Sequence, residues 1–94
     1  MVDGLRLSHN MAMILQSITG GHRYAYAIVA ATGLPSGTIY PALRRLEEEG
    51  FVGPEWEAQP QRKSFRLTRA GETALESCRQ RYPLLAKLAK VQDL

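Results

Sequence analysis

At 94 residues the chain has room for one hydrophobic core and not for two. A hydrophobic fraction of 45% with 22% charged residues excludes a disordered chain, and a lone cysteine, Cys78, excludes an internal disulfide or a multi-cysteine metal site. The net charge of +3 is uneven: residues 1–60 carry four Lys or Arg against six Asp or Glu, residues 61–94 eight against three. The cationic excess therefore begins at Arg62-Lys63, which fits a nucleic acid or another anionic surface, or simply a solvated face. No apolar run approaches the roughly 18–20 residues of a membrane span. Met1-Val2-Asp3-Gly4 lacks the cationic and apolar regions of a signal peptide, so a cytoplasmic protein without a membrane partner is expected.

Ser8 is a good N-cap, and Met11, Ile14, Leu15 and Ile18 follow at helical spacing until Gly20-Gly21. This predicts a first helix over 9–19. A short second helix runs from about Tyr24 to Thr32, stopped by Gly33 and then Leu34-Pro35. Ser36 or Thr38 can cap a third helix reaching Glu49, with Gly50 ending it. Pro41 argues for a late start near Thr38, because a proline in the first turn forfeits no hydrogen bond. At 100° per residue, Ile39, Leu43 and Leu46 form the buried face of this helix. Thr38, Pro41, Arg44, Arg45 and Glu48 face outward, and Tyr40 sits at the boundary. The run Glu47-Glu48-Glu49 opposes the helix dipole without an evident reason.

Phe51-Val52 leads through Trp56 and Gln59-Pro60-Gln61 to Arg62-Lys63-Ser64-Phe65-Arg66-Leu67. Phe65 and Leu67 alternate with polar residues, as in a half-buried strand, and the proline-containing connection predicts a hairpin. Val52 and Trp56 share parity and are expected on one core-facing side. Thr68 caps a last helix carrying Leu75, Cys78 and Tyr82. Beyond Pro83, Leu84, Leu85, Leu88 and Val91 form a second stripe, with Leu84, Leu88 and Val91 roughly opposite Leu75. A helix apolar on two successive faces needs two surfaces to pack on: its own domain and a second subunit, unless the tail simply frays or folds back.

The predicted fold class is therefore mainly α with a small β-hairpin. Two short helices joined at Gly33-Leu34-Pro35-Ser36-Gly37 match a helix-turn-helix, and the basic hairpin after them would be its wing. The second helix of such a unit enters the major groove of double-stranded DNA. Arg44 or Arg45 then suits guanine or phosphate, Ser36, Thr38 and Tyr40 can donate to phosphate, and Arg62 and Lys63 lie beside the backbone. Each has a plainer role: helix arginines paired with nearby glutamates, a solvated hairpin turn, a half-buried Tyr40, and Tyr24 and Tyr26 as core or cap residues. Trp56 can stack on a flat ligand, but average tryptophan burial favours packing of the wing on the body. His9 belongs to the helix start and His22 to a loop, neither at metal spacing; Cys78 reads as core or interface.

The run Thr38-Ile39-Tyr40-Pro41-Ala42-Leu43-Arg44-Arg45-Leu46-Glu47, followed by Gly50-Phe51-Val52, resembles the PadR family of bacterial transcriptional regulators. Leu7-Ser8-His9, His22 to Ile28 and Phe65 to Gly71 agree, so the likeness covers Leu5 to about Leu75. Ala25 stands where the family usually has glycine between the tyrosines. The resemblance implies a winged helix-turn-helix plus a C-terminal dimerisation helix, repression by promoter occupancy, and DNA contact by Thr38, Tyr40, the Arg44 region and the wing. Some members bind drugs or phenolic acids between subunits, often with aromatic residues on the last helix, where this chain has only Tyr82. A small-molecule effector stays unassigned, and no cofactor or metal is expected.

The expected organisation is a DNA-binding unit over 1–68 and a dimerisation helix over 69–94, within one compact body. The expected DNA-contacting residues are Ser36, Thr38, Tyr40, Arg44, Arg45, Arg62 and Lys63. Leu75, Cys78, Tyr82, Leu84, Leu85, Leu88 and Val91 are expected at a homodimer interface. The competing reading is a winged-helix module for protein–protein contact. An enzyme is not expected, since no paired carboxylates, phosphate loop or nucleophile–base set can be assembled.

Overall fold

A computed structural model describes residues 7–58 and 61–87. Three helices come first: α1 (His9–Thr19), α2 (Ala25–Thr32) and α3 (Ser36–Glu48). A hairpin of β1 (Val52–Ala58) and β2 (Gln61–Leu67) follows, then α4 (Arg69–Arg81) and a 3-10 turn over Pro83–Lys87.

The caps explain the boundaries. The Ser8 hydroxyl accepts from the Met11 amide at 3.2 Å, and the Thr68 hydroxyl accepts from the Gly71 amide at 3.1 Å. α2 ends at Gly33 with φ of 75°, a left-handed conformation that glycine adopts without a Cβ penalty. The third helix begins earlier than Pro41 suggests. Pro35 is its N-cap, with the Pro35 carbonyl accepting from Thr38 and Ile39, so Pro41 lies within the helix. The amide that Pro41 lacks would have bonded the carbonyl of Gly37, which lies on an exposed stretch where solvent satisfies it.

One core joins all elements: Ala12, Ile14, Leu15 and Ile18 of α1, Ile28, then Ile39, Leu43 and Leu46 of α3. Phe51, Val52 and Phe65 close it from the hairpin side, and Ala74, Leu75, Cys78 and Leu85 from the C-terminal side. The antiparallel register runs from Val52↔Leu67 to Ala58↔Gln61. The Phe65 amide also donates to the Arg23 carbonyl at 2.8 Å, which fastens the hairpin base to the segment between α1 and α2.

Parity misleads for Trp56. Val52 is 2% exposed, whereas Trp56, four residues along the same strand face, is 63% exposed. Trp56 is not among the residues packed on the core, so it does not pin the wing there; at this level of the hairpin the wing meets the body through Arg62 and Lys63 instead. Tyr26 is likewise 63% exposed at the start of α2. His22 does lie in a loop, but a buried one.

The C-terminal stripe also divides differently. Leu75, Cys78 and Leu85 are buried in the chain's own core, whereas the sequence places them at a subunit contact. The reason is the change from α4 to a 3-10 turn at Pro83, which swings Leu85 inward and leaves Leu84 69% exposed. Tyr82 is half-buried, with its hydroxyl donating to the Leu7 carbonyl at 3.3 Å. Leu88 and Val91 lie outside the described residues.

Candidate nucleic-acid interface

α3 presents its apolar residues inward and, along its outward side, Ser36, Gly37, Tyr40, Pro41, Arg44 and Arg45, all exposed. Thr38 is half-buried. Tyr40 is 56% exposed, so its plainer role as half-buried packing does not hold. The free amides at the start of α3 add a positive partial charge to this end. Arg45 pairs with Glu49 one turn on, at 3.1 Å, an arrangement that is open to solvent and weak. Arg44 makes no ion pair among the described residues.

The wing stands beside this face. Arg62 and Lys63 are one and two pairs in from the last pair of the hairpin, and alternation along β2 sends them to opposite sides. On one side the Lys63 ammonium donates to Glu47 of α3 at 3.1 Å, with both side chains about one-third exposed. On the other, Arg62 meets Glu57 across the hairpin at 3.3 Å and donates to the Tyr24 hydroxyl at 3.0 Å. Its guanidinium lies 4.2 Å from the centre of the Tyr24 ring, in cation–π contact. Tyr24 in turn donates its hydroxyl proton to Glu57. That bond holds the Glu57 carboxyl below the usual carboxylate range and raises the Tyr24 phenol above its ordinary value. Arg23 and Arg66 bracket Glu55 at 2.6 and 3.1 Å, further down the same side.

Tyr24, Tyr26, Tyr40, Arg44, Arg62 and Lys63 thus converge on one cleft of about 420 Å³ between α2, α3 and the wing. Tyr24 and Tyr26 stack with rings 5.6 Å apart and nearly parallel. Ser36, Thr38 and Arg45 do not line the cleft. The sequence leaves Tyr24 and Tyr26 between core or cap roles and DNA contact and gives Glu57 no role; it pairs nearby glutamates with the helix arginines, as Glu49 does with Arg45, whereas Glu47 reaches Lys63. The glutamate run carried a signal in its conflict with the helix dipole: Glu47 and Glu49 both have cationic partners. Cys78 lies far into the core, and burial pushes its thiol up from the ordinary value, which suits an inert packing residue.

Among the described residues no helix is long and apolar enough to cross a membrane. Nor does any group of three or more His, Cys, Asp or Glu there have the placement to hold a metal.

Three helices, a hairpin and a fourth helix, with a cationic wing beside the second helix of a helix-turn-helix, define the winged-helix class. The profile of the transcriptional regulator PadR-like family matches residues 14–77, more than half of the chain, and the protein belongs to that family. Regulators of this family are generally not enzymes. Among solved structures, a PadR family regulator of Clostridium difficile R20291 superposes with a TM-score of 0.73 at 24% identity, covering 85% of this chain and 93% of the other. A PadR-like regulator of Bacillus cereus gives a TM-score of 0.69 at 24% identity, over 82% and 84% of the two chains. MepR of S. aureus, in a complex with DNA, gives 0.69 at 19% identity, over 94% of this chain and 69% of MepR. No curated protein sequence matches the chain.

Proposed function

We propose that this protein is a sequence-specific DNA-binding regulator that represses transcription by occupying a two-fold operator as a homodimer. The observation that carries the reading is the exposed outward side of α3, with Tyr40, Arg44 and Arg45 free of the core and the basic wing alongside. A major groove is about the width of one helix, so α3 would present Arg44 or Arg45 to base edges. Ser36, Thr38 and Tyr40 would donate to phosphates near the start of α3, and Arg62 and Lys63 would follow the backbone beside it. MepR supplies an instance of DNA bound by a chain of similar fold.

Residues 1–68 would serve as the reading unit and 69–94 as the dimerisation segment. The exposed Leu84 would seed the subunit contact, with Leu88 and Val91 continuing it, while Leu75, Cys78 and Leu85 support it from within the core. Two-fold symmetry then sets half-sites about one helical turn apart, roughly 34–36 Å.

Binding to a labelled duplex from upstream of the protein's own gene, against a shuffled duplex at two salt concentrations, tests the reading. Salt-sensitive binding that prefers the native sequence is expected. Equal binding to both duplexes would refute sequence specificity, and no binding to either would favour a protein-interaction module.

A further inference from the structure

Each of the two wing cations already faces a carboxylate of the chain, which a phosphate would have to replace. Lys63 is held by Glu47, which comes from α3, and Arg62 by Glu57 and the Tyr24 hydroxyl. The Lys63–Glu47 and Arg62–Tyr24 contacts span 16 and 38 residues of sequence, so they are properties of the folded wing, whereas Arg62–Glu57 joins directly paired residues of the hairpin. A carboxylate oxygen 3.1 Å from an ammonium occupies the position, and supplies the charge, that a phosphate oxygen would.

We propose that Glu47 and Glu57 are self-inhibiting stand-ins for phosphate: in the free protein they hold the wing against α3 and the Tyr24 side, and DNA must displace them to gain Lys63 and Arg62. This deepens the DNA-binding reading and rests on it. Glu47 is the more consequential of the two, because it lies on the reading helix itself, on the same cleft wall as Arg44. Its bond to Lys63 sets the distance between helix and wing while no DNA is present. Exchange of that bond for a phosphate lets the wing leave α3 and follow the backbone. The exchange takes no counterion from the DNA atmosphere without leaving Glu47 to attract a cation of its own. The Lys63 contact therefore adds little to the salt dependence of wild-type binding.

The test is a double-mutant cycle of Glu47→Gln and Lys63→Met, read by duplex affinity across a salt series and, without DNA, by thermal unfolding. Glu47→Gln is expected to tighten binding to native and shuffled duplexes alike by about fivefold to tenfold at 0.1 M salt, and to steepen the log–log salt slope by about 0.9. In the Lys63→Met background the same change should have no effect on affinity. Glu57→Gln should act likewise through Arg62. A merely structural role for Glu47 would shift thermal unfolding but leave the salt slope unchanged. Coupling of Glu47 to Lys63 in the free protein, with no gain in DNA affinity, would overturn the exchange while leaving DNA binding intact. A wild-type chain that binds neither duplex would overturn the DNA-binding reading and the exchange with it.

Discussion

Gly71 offers a substitution whose outcome two physical effects contest. It sits at the third position of α4, where the helix start crosses the turn leading into β1. A Cβ built there lies 2.0 Å from the Phe51 carbonyl oxygen and 3.0 Å from its carbon, both backbone atoms. That carbonyl cannot easily retreat, since it accepts the Thr68 amide at 3.1 Å, and the Thr68 hydroxyl reaches the Gly50 carbonyl at 2.5 Å. Helix propensity favours Gly71→Ala by up to about 1 kcal/mol, less in a first turn. Overpacking against fixed backbone costs typically about 1–3 kcal/mol, and this approach belongs at the upper end. The net loss should be on the order of 1–2 kcal/mol, or roughly 5–15 °C in Tm for a domain of this size. Gly37 is the control: it lies in α3 without a positive φ, and a Cβ there meets nothing within 4 Å. Gly37→Ala should be neutral or stabilising by up to about 1 kcal/mol. Thermal and urea unfolding followed by circular dichroism, at matched protein concentration, reads both. A Gly71→Ala variant as stable as wild type would refute the close approach of α4 to the α3–β1 turn.

Other outcomes follow from the same geometry. Leu84→Asp should give a folded monomer by light scattering, whereas Leu85→Ala, buried at 2% exposure, should cost about 2–5 kcal/mol of stability; a dimer surviving the first change would refute the subunit contact. Arg45→Ala should weaken operator binding by about 1–3 kcal/mol with little effect on a shuffled duplex, and an equal loss on both would make Arg45 a phosphate contact. Glu57 is held below its ordinary value, so its contribution to wing docking is complete above that value and fades as pH falls through the lowered one. Tyr24 works in the opposite sense: its phenol is raised, so its share is complete below the ordinary value near 10 and fades as pH rises through the raised one. Glu57→Gln should flatten the acid limb of a stability–pH profile, and an unchanged limb would remove Glu57 from the account.

Local signals in the sequence were good guides wherever local chemistry decides the outcome. α1 spans His9–Thr19 as Ser8 and the Gly20-Gly21 stop predict, and Thr68 caps α4 as expected. α3 starts earlier than Pro41 suggests because a proline within a helix forfeits one bond, and exposure at Gly37 makes that loss small. Trp56 departs from the expectation because average burial says nothing of which hairpin side chains meet the body, and here Arg62 and Lys63 do so while Trp56 stays exposed. Leu85 turns into the core instead of joining Leu84 on the outward stripe, since the chain leaves the α-helix at Pro83 for a 3-10 turn. At the candidate interface the outward residues of α3 were legible from periodicity. The contacts Lys63–Glu47 and Arg62–Tyr24 were not, because they join residues whose proximity only the tertiary fold creates.

The junction of α4 with α1 has a consequence for the geometry of an operator. Arg79 donates to Gln16 at 3.2 Å, and Arg81 and Tyr82 both donate to the Leu7 carbonyl. Leu85, beside the exposed Leu84, packs into the core that α1 shares with α3. A subunit contact made at Leu84 is thus joined to the reading helix through packed and bonded elements, with no linker between them. In the proposed homodimer such a pair of reading heads would work as a fixed-length ruler. Five base pairs inserted between half-sites would turn one of them about half a revolution away, and a ruler without a hinge would then engage one half-site and forgo the other.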